Sequence, residues 1–295
     1  MRSDLLTEAA NPSSASIDLL STEEMLRVIN AADQEVAIAV EREIPKIAAA
    51  LDGIVERLEL GGHLFYIGAG TSGRIGVLDA SECPPTFNTP PELMQALIAG
   101  SDYALRHSVE KAEDDPKQGK QDLADRQFGA GDVLVGIAAS GRTPYVLGGI
   151  EYARSMGALT IGLSCTPDSE LARAAEISIT PAPGPEVIAG STRMRAGTAT
   201  KLVLNMLSTG AMIRLGYVYS NFMVNVQPVN VKLTDRGRRI VAAVAGVSYD
   251  EASQLLDAAG SVRIAILMQK CKLSRSEAEA RLAATKGRLR LALGE

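Results

Sequence analysis

Short apolar runs that alternate with helical patterns constrain the fold of this chain more than any other feature of its sequence. Each run is continuous, and most end in a glycine or a small polar residue. Such runs, with helical segments between several of them, are typical of buried strands in a parallel sheet. We therefore predict an α/β fold with a doubly wound parallel sheet of about five strands, flanked by helices. The predicted strands are HLFYIGAG (63–70), LMQALIAG (93–100), DVLVGIAAS (132–140), ALTIGLSC (158–165) and AEISITP (175–181).

Helical patterns lie on both sides of the predicted sheet in the sequence. The capping-box tetrapeptide STEE, Ser21 to Glu24, predicts the start of a helix. A longer helical pattern follows, in which we expect Pro45 to introduce a kink. The stretch from Thr192 to Leu215 is apolar over most of its helical surface, so we expect it to be buried, with a subunit interface as one place for it.

The last part of the chain has the pattern of a small helical unit. Two further capping boxes, SYDE (248–251) and SRSE (274–277), lie on either side of the helical stretch SVRIAILMQKC. Together they predict three helices from about residue 247. The predicted domains are an N-terminal helical segment (1–50), a sheet domain (51–220) and a C-terminal helical region (221–295).

Composition narrows the classes of function. The 295 residues carry a formal net charge of −5 and no basic run, so we expect neither a nucleic-acid partner nor a membrane partner. No apolar run is long enough to span a bilayer, and we interpret the N-terminus as mature sequence. Cys83, Cys165 and Cys271 lie far apart, which favours free thiols in a cytoplasmic protein. With only two histidines in addition, we expect no metal site.

Two segments that follow predicted strands have the composition of phosphate-binding loops. GAGTSGR (68–74) and ASGRT (139–143) each carry hydroxyls, an arginine and a following helix, and the N–H groups at the start of a helix bind anions well. Tight turns and helix N-caps are the other interpretation, although two parallel copies in one sheet favour a phosphate site. The lack of a lysine and of a Mg²⁺-holding acid disfavours ATP and favours a small ester such as a sugar phosphate. The candidate phosphate-binding residues are Thr71, Ser72, Gly73, Ser140, Gly141, Arg142 and Thr143.

Longer motifs make the sequence similar to one known family. The paired units of strand, hydroxyl-bearing loop and helix resemble the sugar isomerase (SIS) domain. Three stretches resemble the N-acetylmuramic acid 6-phosphate etherases, and SVEKAEDD (108–115) and SNFMVNVQPVNVKL (220–233) fit the same family. The similarity extends from about Ile17 to the C-terminus. The three stretches are YIGAGTSGRIGVLDASECPPTF (66–87), GIAASGRTPYV (136–146) and GSTRMRAGTATKLVLNMLSTGAMI (190–213).

The resemblance implies a SIS-type sheet and a particular reaction. The family cleaves the D-lactyl ether of N-acetylmuramic acid 6-phosphate with water, giving N-acetylglucosamine 6-phosphate and D-lactate, in bacterial cell-wall recycling. It implies a sugar-phosphate ligand, a homodimer, and neither a metal nor another cofactor. It also implies two catalytic glutamates: Glu82 as the proton donor to the departing lactate, and Glu113 as the base at C2 of the sugar.

The residues themselves leave both glutamates open to other interpretations. Taken alone, Glu82 is a surface residue in a turn made rigid by two prolines, just past the helix that leaves the first phosphate segment. Glu113 belongs to an acidic cluster, which is usually a solvated face. In a helix, however, Glu113 follows Val109 by four residues and lies at the margin of an apolar stripe, beside a buried face. The small departures from the family pattern, at Asn88, Asn225 and Arg195, remove neither glutamate.

Two other functions fit the same sheet. A non-catalytic sugar-phosphate sensor, like the related glucokinase regulatory protein, would keep both phosphate segments but would have no use for both glutamates. An aldose–ketose isomerase also uses a base at C2. Turnover with lactate release separates the etherase from both.

Overall fold

The computed structural model describes residues 7–227 and 230–295. Within these residues the chain forms five strands and twelve α-helices, joined by loops and a few short 3₁₀ helices. The strands are β1 Leu64–Gly68, β2 Met94–Ile98, β3 Val133–Ile137, β4 Leu159–Leu163 and β5 Ile177–Ile179. The helices are α1 Thr22–Glu41, α2 Ile44–Glu59, α3 Gly70–Phe87, α4 Pro116–Asp125, α5 Pro144–Ser155, α6 Glu170–Ala174, α7 Arg195–Arg214, α8 Val231–Ala245, α9 Tyr249–Ala259, α10 Val262–Cys271, α11 Arg275–Ala284 and α12 Leu289–Leu293.

The five strands form one parallel sheet in the order β2-β1-β3-β4-β5, which confirms the predicted fold. Each predicted run contains one strand. All five residues of β1, β3 and β4 are buried, which explains why their sequences are continuously apolar rather than alternating. The chain leaves β1 toward one edge and then crosses back to β3, so the strand order reverses between these neighbours. Ligands of such sheets bind beyond the carboxyl ends of the strands at this reversal.

The chain divides into two compact units. The first comprises the chain up to Ser81 and Pro91–Ser208, and it contains the sheet. Its core includes residues from β1, β3 and α5, among them Phe65, Leu134 and Ile150. The second unit comprises Glu82–Pro90 and Thr209–Glu295.

The second unit has its own core, built from α8 to α12 around Leu256, Ile266 and Leu267. The capping boxes predicted at Ser248 and Ser274 are formed, and each serine accepts the backbone N–H of the glutamate three residues on. The three predicted helices are therefore present as α9, α10 and α11. Two more helices, α8 and α12, also belong to this unit.

One helical prediction is wrong in detail. The long pattern with an expected kink at Pro45 is two helices, because α1 ends at Glu41 and α2 begins at Ile44. Pro45 lies in the first turn of α2, where its missing N–H has no helical acceptor to lose. The capping box at Ser21 forms as predicted and begins α1.

The stretch predicted to be a buried apolar helix forms α7. Most of its apolar residues are buried, whereas Met206 is 39% and Ile213 is 51% exposed. Among residues 7–227 and 230–295, every helix is too short or too polar to cross a bilayer.

Candidate active site

The first predicted phosphate segment is the start of a helix rather than a loop. β1 ends at Gly68 and α3 begins at Gly70, so Thr71, Ser72 and Gly73 lie in the first turn of α3. The helix can begin directly after the strand for two reasons. Gly70 adopts φ +54°, and Gly68 packs so closely against Gly73 that a Cβ on Gly68 would lie 2.7 Å from the Gly73 nitrogen. The first N–H groups of a helix have no acceptor within the helix and are available to an anion. In α3 the Gly73 N–H already donates to the Ala69 carbonyl at 3.3 Å, so the N–H groups that precede it are the candidates.

The second segment is a loop that its neighbours hold in place. Ser140, Gly141, Arg142 and Thr143 connect β3 to α5, and Thr143 is the N-cap residue of α5. Gly141 has φ +66°, and a Cβ there would lie 2.1 Å from the Ser169 hydroxyl oxygen. Its N–H donates to the Ala138 carbonyl and its carbonyl accepts the Leu171 N–H, each at 2.9 Å. Only glycine fits this position.

Pairing in the sheet places the two segments beside each other. Gly68 and Ile137, the last residues of β1 and β3, are direct partners in the parallel register. Because the carboxyl ends of parallel strands meet at one edge, the first turn of α3 and the loop 139–143 follow neighbouring strands at the reversal of strand order.

A third hydroxyl-rich loop, which was not among the sequence-predicted segments, supports the second. Residues 164–169 follow β4, and the Ser164 and Ser169 hydroxyls lie 3.0 Å apart. The Thr166 hydroxyl donates to the Ala139 carbonyl at 3.3 Å, and the Cys165 N–H donates to the same carbonyl at 2.9 Å. The signal was available, because SCTPDS also has small polar residues directly after a strand.

A small pocket of about 70 Å³ opens at the start of α3, beside the carboxyl ends of β1 and β2. One wall is the beginning of α3, with Gly70 and Arg74, and the other is the segment that follows β2. Two carboxylates, Glu110 and Glu113, line it. Its full lining is Ala69, Gly70, Arg74, Ala99, Ala104, His107, Ser108, Val109, Glu110 and Glu113.

Glu113 lines this pocket without the helix that was predicted for it. The segment forms two short 3₁₀ helices, Asp102–Leu105 and Glu110–Asp114, and Val109 between them has φ −131°. The predicted helical stripe is wrong because the chain turns at Gly100 and Ser101, both with positive φ, and folds back on itself.

The environment of Glu113 favours its protonated form. The pKa of the Glu113 carboxyl is raised above its usual value, first by partial burial and then by the negative charges of Asp114 and Glu110. The side chain is nevertheless exposed enough to meet a ligand. A carboxylate with a raised pKa at a pocket wall is suited to accept a proton.

Glu82 lies within α3 and not in a loop beyond it. The helix continues through Pro84 and Pro85, because the φ of proline is a helical value even though each proline removes one hydrogen bond. It ends where Asn88 adopts φ +52°, with the Asn88 N–H donating to the Pro84 carbonyl at 2.8 Å. The Glu82 side chain is exposed. Glu82 belongs to the second unit, and Glu113 belongs to the first.

A buried carboxylate fixes the middle of α3 to its surroundings. Asp79 accepts hydrogen bonds from the Tyr66 hydroxyl of β1 at 2.9 Å and from the Ser208 hydroxyl of α7 at 3.1 Å. Burial raises the pKa of Asp79, while these two hydrogen bonds and the charge of Lys201 act in the opposite direction. The sequence alone gives Asp79 no definite role, and its contacts indicate a structural one.

A second buried carboxylate begins α7. Glu186 accepts the backbone N–H groups of Arg195 and Ala196 at 2.8 and 2.9 Å, which caps the helix. Burial, together with the charge of Glu186, raises the pKa of the Cys165 thiol to about 12. A thiol in that state is a poor nucleophile. The described part of the chain contains no group of three or more His, Cys, Asp or Glu side chains placed to bind a metal ion.

Comparison with known proteins first defines the class of the first unit. The family description "Glucokinase regulatory protein N-terminal SIS domain" matches residues 46–154, and the description "SIS domain" matches residues 121–210. A solved structure of the protein c3406 from E. coli CFT073 has a TM-score of 0.50 at 16% identity and covers 68% of this chain and 97% of that chain. The sheet is therefore of the SIS type, as predicted.

Full-length relatives then define the family. The N-acetylmuramic acid 6-phosphate etherase 2 of Vibrio parahaemolyticus is 53% identical over 99% of this chain and 97% of its own length. The N-acetylmuramic acid 6-phosphate etherase of Pasteurella multocida is 53% identical over 98% of this chain and 96% of its own length. The chain belongs to the N-acetylmuramic acid 6-phosphate etherase family, as its motifs predicted.

Proposed function

We propose that this chain cleaves the D-lactyl ether of N-acetylmuramic acid 6-phosphate with water, releasing D-lactate and N-acetylglucosamine 6-phosphate for the recycling of cell-wall amino sugars. Membership of the etherase family supports the reaction. The structural observation that supports the proposal is the pocket at the start of α3, which Gly70 and Arg74 line on one side and Glu113 lines on the other.

The phosphate is held at the reversal of strand order. The N–H groups of the first turn of α3 and the hydroxyls of Thr71 and Ser72 supply donors from one side. Ser140 and Thr143, in the loop after β3, supply donors from the neighbouring strand end. Arg142 adds positive charge, because its ion pair with Glu170 is a loose contact at 3.9 Å between exposed side chains.

Glu113 acts as the base. Opening of the sugar ring exposes an aldehyde at C1, which acidifies the proton at C2. Glu113 removes that proton, the bond between C3 and the ether oxygen breaks, and the departure of lactate leaves an unsaturated aldehyde. Water then adds at C3 to give the product. The raised pKa of Glu113 suits this role because a base is most effective when its pKa approaches the working pH.

Glu82 acts as the acid. It donates a proton to the ether oxygen as lactate departs, and the resulting carboxylate then activates the water that adds at C3. Each step needs only a proton acceptor or a proton donor, so the proposal invokes no metal and no cofactor.

We further propose a cytoplasmic homodimer. The three cysteines, none of which is in a disulfide bond, support a reducing compartment.

One alternative has an observation in its favour. Residues 46–154 match the N-terminal SIS domain of the glucokinase regulatory protein, which leaves a non-catalytic sugar-phosphate sensor as the second candidate. A sensor would bind N-acetylmuramic acid 6-phosphate and leave its ether intact. It would also tolerate loss of either glutamate.

The test is D-lactate release by the purified protein from N-acetylmuramic acid 6-phosphate, with unphosphorylated N-acetylmuramic acid as the control substrate. We expect lactate only from the phosphorylated sugar.

Glu113→Gln should abolish both lactate release and exchange of the C2 proton with D₂O, because both require the base. Glu82→Gln should lose lactate release and keep some exchange, because proton removal can precede expulsion. Binding without lactate release by the wild type would favour the sensor.

A further inference from the structure

Arg74 lies one turn into α3, and its guanidinium group contacts the protein backbone. Its Nε donates to the carbonyl oxygens of Ala104 and Leu105 at 3.1 and 3.2 Å. Its Nη2 donates to the carbonyl oxygens of Ala104 and His107 at 2.8 and 3.0 Å. One side chain thus joins α3 to three carbonyls of the segment between β2 and Glu113. Hydrogen bonds from a charged donor are stronger than neutral ones.

That segment, residues 100–109, is folded closely on itself. Gly100 has φ +86°, and a Cβ there would lie 3.0 Å from the Cβ of Val109. The rings of Tyr103 and His107 stack with centroids 4.0 Å apart and planes within 9° of parallel. Because the two ends of the segment are in contact, the segment can move as a rigid body unless another element of the fold holds it against the sheet. Arg74 supplies such a fixed point, from the helix that follows β1.

The hydrogen bonds from Arg74 to the carbonyls of Ala104, Leu105 and His107 form a clamp, the Arg74 clamp. This clamp joins the two walls of the pocket. α3 begins with the N–H groups that we assign to the phosphate, and Arg74 lies one turn further along the same helix. The segment that Arg74 holds leads directly into the 3₁₀ helix that carries Glu113. In a sugar 6-phosphate the phosphate and C2 lie at opposite sides of the molecule, so a base at C2 must keep a set distance from the phosphate site.

We propose that Arg74 is a positioning residue, which fixes the pocket wall bearing Glu113 relative to the phosphate site at the start of α3. This inference rests on the proposed function for its catalytic consequence. We assign Arg74 a role that acts through Glu113, because its Nε and Nη2 donors are used by carbonyls of the segment that leads to Glu113. Lysine cannot replace it, since one ammonium nitrogen lacks the planar fork that reaches three carbonyls.

The experiment compares Arg74→Lys with Arg106→Lys, which changes an exposed arginine of the same segment that does not line the pocket. Hydrogen exchange is measured at the amides of Arg106 and His107, which both donate to the Tyr103 carbonyl. D-lactate release gives kcat, and calorimetry gives the Kd for N-acetylglucosamine 6-phosphate. Thermal unfolding checks that each variant is folded.

We expect Arg74→Lys to speed exchange at both amides and to lower kcat by about 10- to 100-fold, because small misplacement of a catalytic group is costly. The Kd for the product should stay within about twofold of the wild-type value, and Arg106→Lys should change none of the three quantities. An unchanged exchange rate, or an unchanged kcat, overturns the proposal. A large rise in Kd with kcat preserved also overturns it, and would make Arg74 a phosphate ligand.

Failure of the proposed function would be seen separately. If the wild type releases no lactate, the etherase assignment fails while the amide exchange still decides whether Arg74 holds the segment. If the wild type is active and exchange in Arg74→Lys equals that of the wild type, the etherase assignment stands and the clamp is rejected.

Discussion

At the scale of single residues, Glu113 is one of the two carboxylates that line the pocket, and Glu110 is the other. Glu113 shares a five-residue 3₁₀ helix with Glu110 and Asp114, and it reaches the pocket while remaining exposed. The sequence predicted that Glu113 would lie beside a buried face, but it predicted this from a helical stripe that does not form. The turn at Gly100 and the Arg74 clamp determine the backbone conformation of the segment that precedes Glu113. The hydrogen bonds from Arg74 reach carbonyls 30, 31 and 33 residues further along the chain, which a short sequence window does not contain.

The charge of Asp114 gives a prediction for the pH dependence of activity. Partial burial is the largest cause of the raised pKa of Glu113, and the negative charge of Asp114 is the second. Asp114→Asn removes that charge, so the pKa of Glu113 should fall toward its usual value. Because the base works when deprotonated, the acid limb of the kcat/KM profile should move to lower pH. Asp18→Asn, which changes an exposed acid outside the pocket, should leave the limb in place. A limb that moves upward in Asp114→Asn would contradict the assignment.

At the scale of elements, the strands were predictable and their order was not. β1, β3 and β4 are buried at every position, and this leaves a continuous apolar run in the sequence. The order β2-β1-β3-β4-β5 depends on which strands pair in space, and the sequence of one chain does not record it. The boundaries of α3 were also missed. Glycines at its start and prolines near its end predict loops, yet α3 includes Gly70, Pro84 and Pro85.

Two serines test whether the strand-end segments bind phosphate. Ser72→Ala and Ser140→Ala should each weaken binding of N-acetylglucosamine 6-phosphate by roughly 1–3 kcal/mol, the range for a hydrogen bond to a charged group. Ser155→Ala is the matched control, because this serine lies at the C-terminal end of α5 and donates to the Tyr152 carbonyl. Calorimetry gives the three dissociation constants. Equal affinity in all three variants would show that the segments are only turns and caps.

At the scale of the whole molecule, we predict a homodimer. Most of the apolar surface of α7 is buried within the chain, which leaves Met206 and Ile213 as its exposed large apolar residues. Burying such residues against a second copy is favourable, and symmetric pairs are the commonest oligomers. Light scattering at micromolar concentration should give twice the chain mass of 31.1 kDa. A stable monomer would refute the prediction.

The domain boundaries near residues 50 and 220 also remain a prediction, which limited proteolysis can test.

The most direct test of the proposed chemistry is turnover of N-acetylmuramic acid 6-phosphate in ¹⁸O-labelled water, with both products analysed by mass spectrometry. Elimination breaks the bond between C3 and the ether oxygen, and water then adds at C3. We therefore expect the label in the hydroxyl of N-acetylglucosamine 6-phosphate and unlabelled D-lactate. Label in D-lactate would mean that the bond on the lactyl side is cleaved, and the assignment of Glu113 as a base at C2 would then be contradicted.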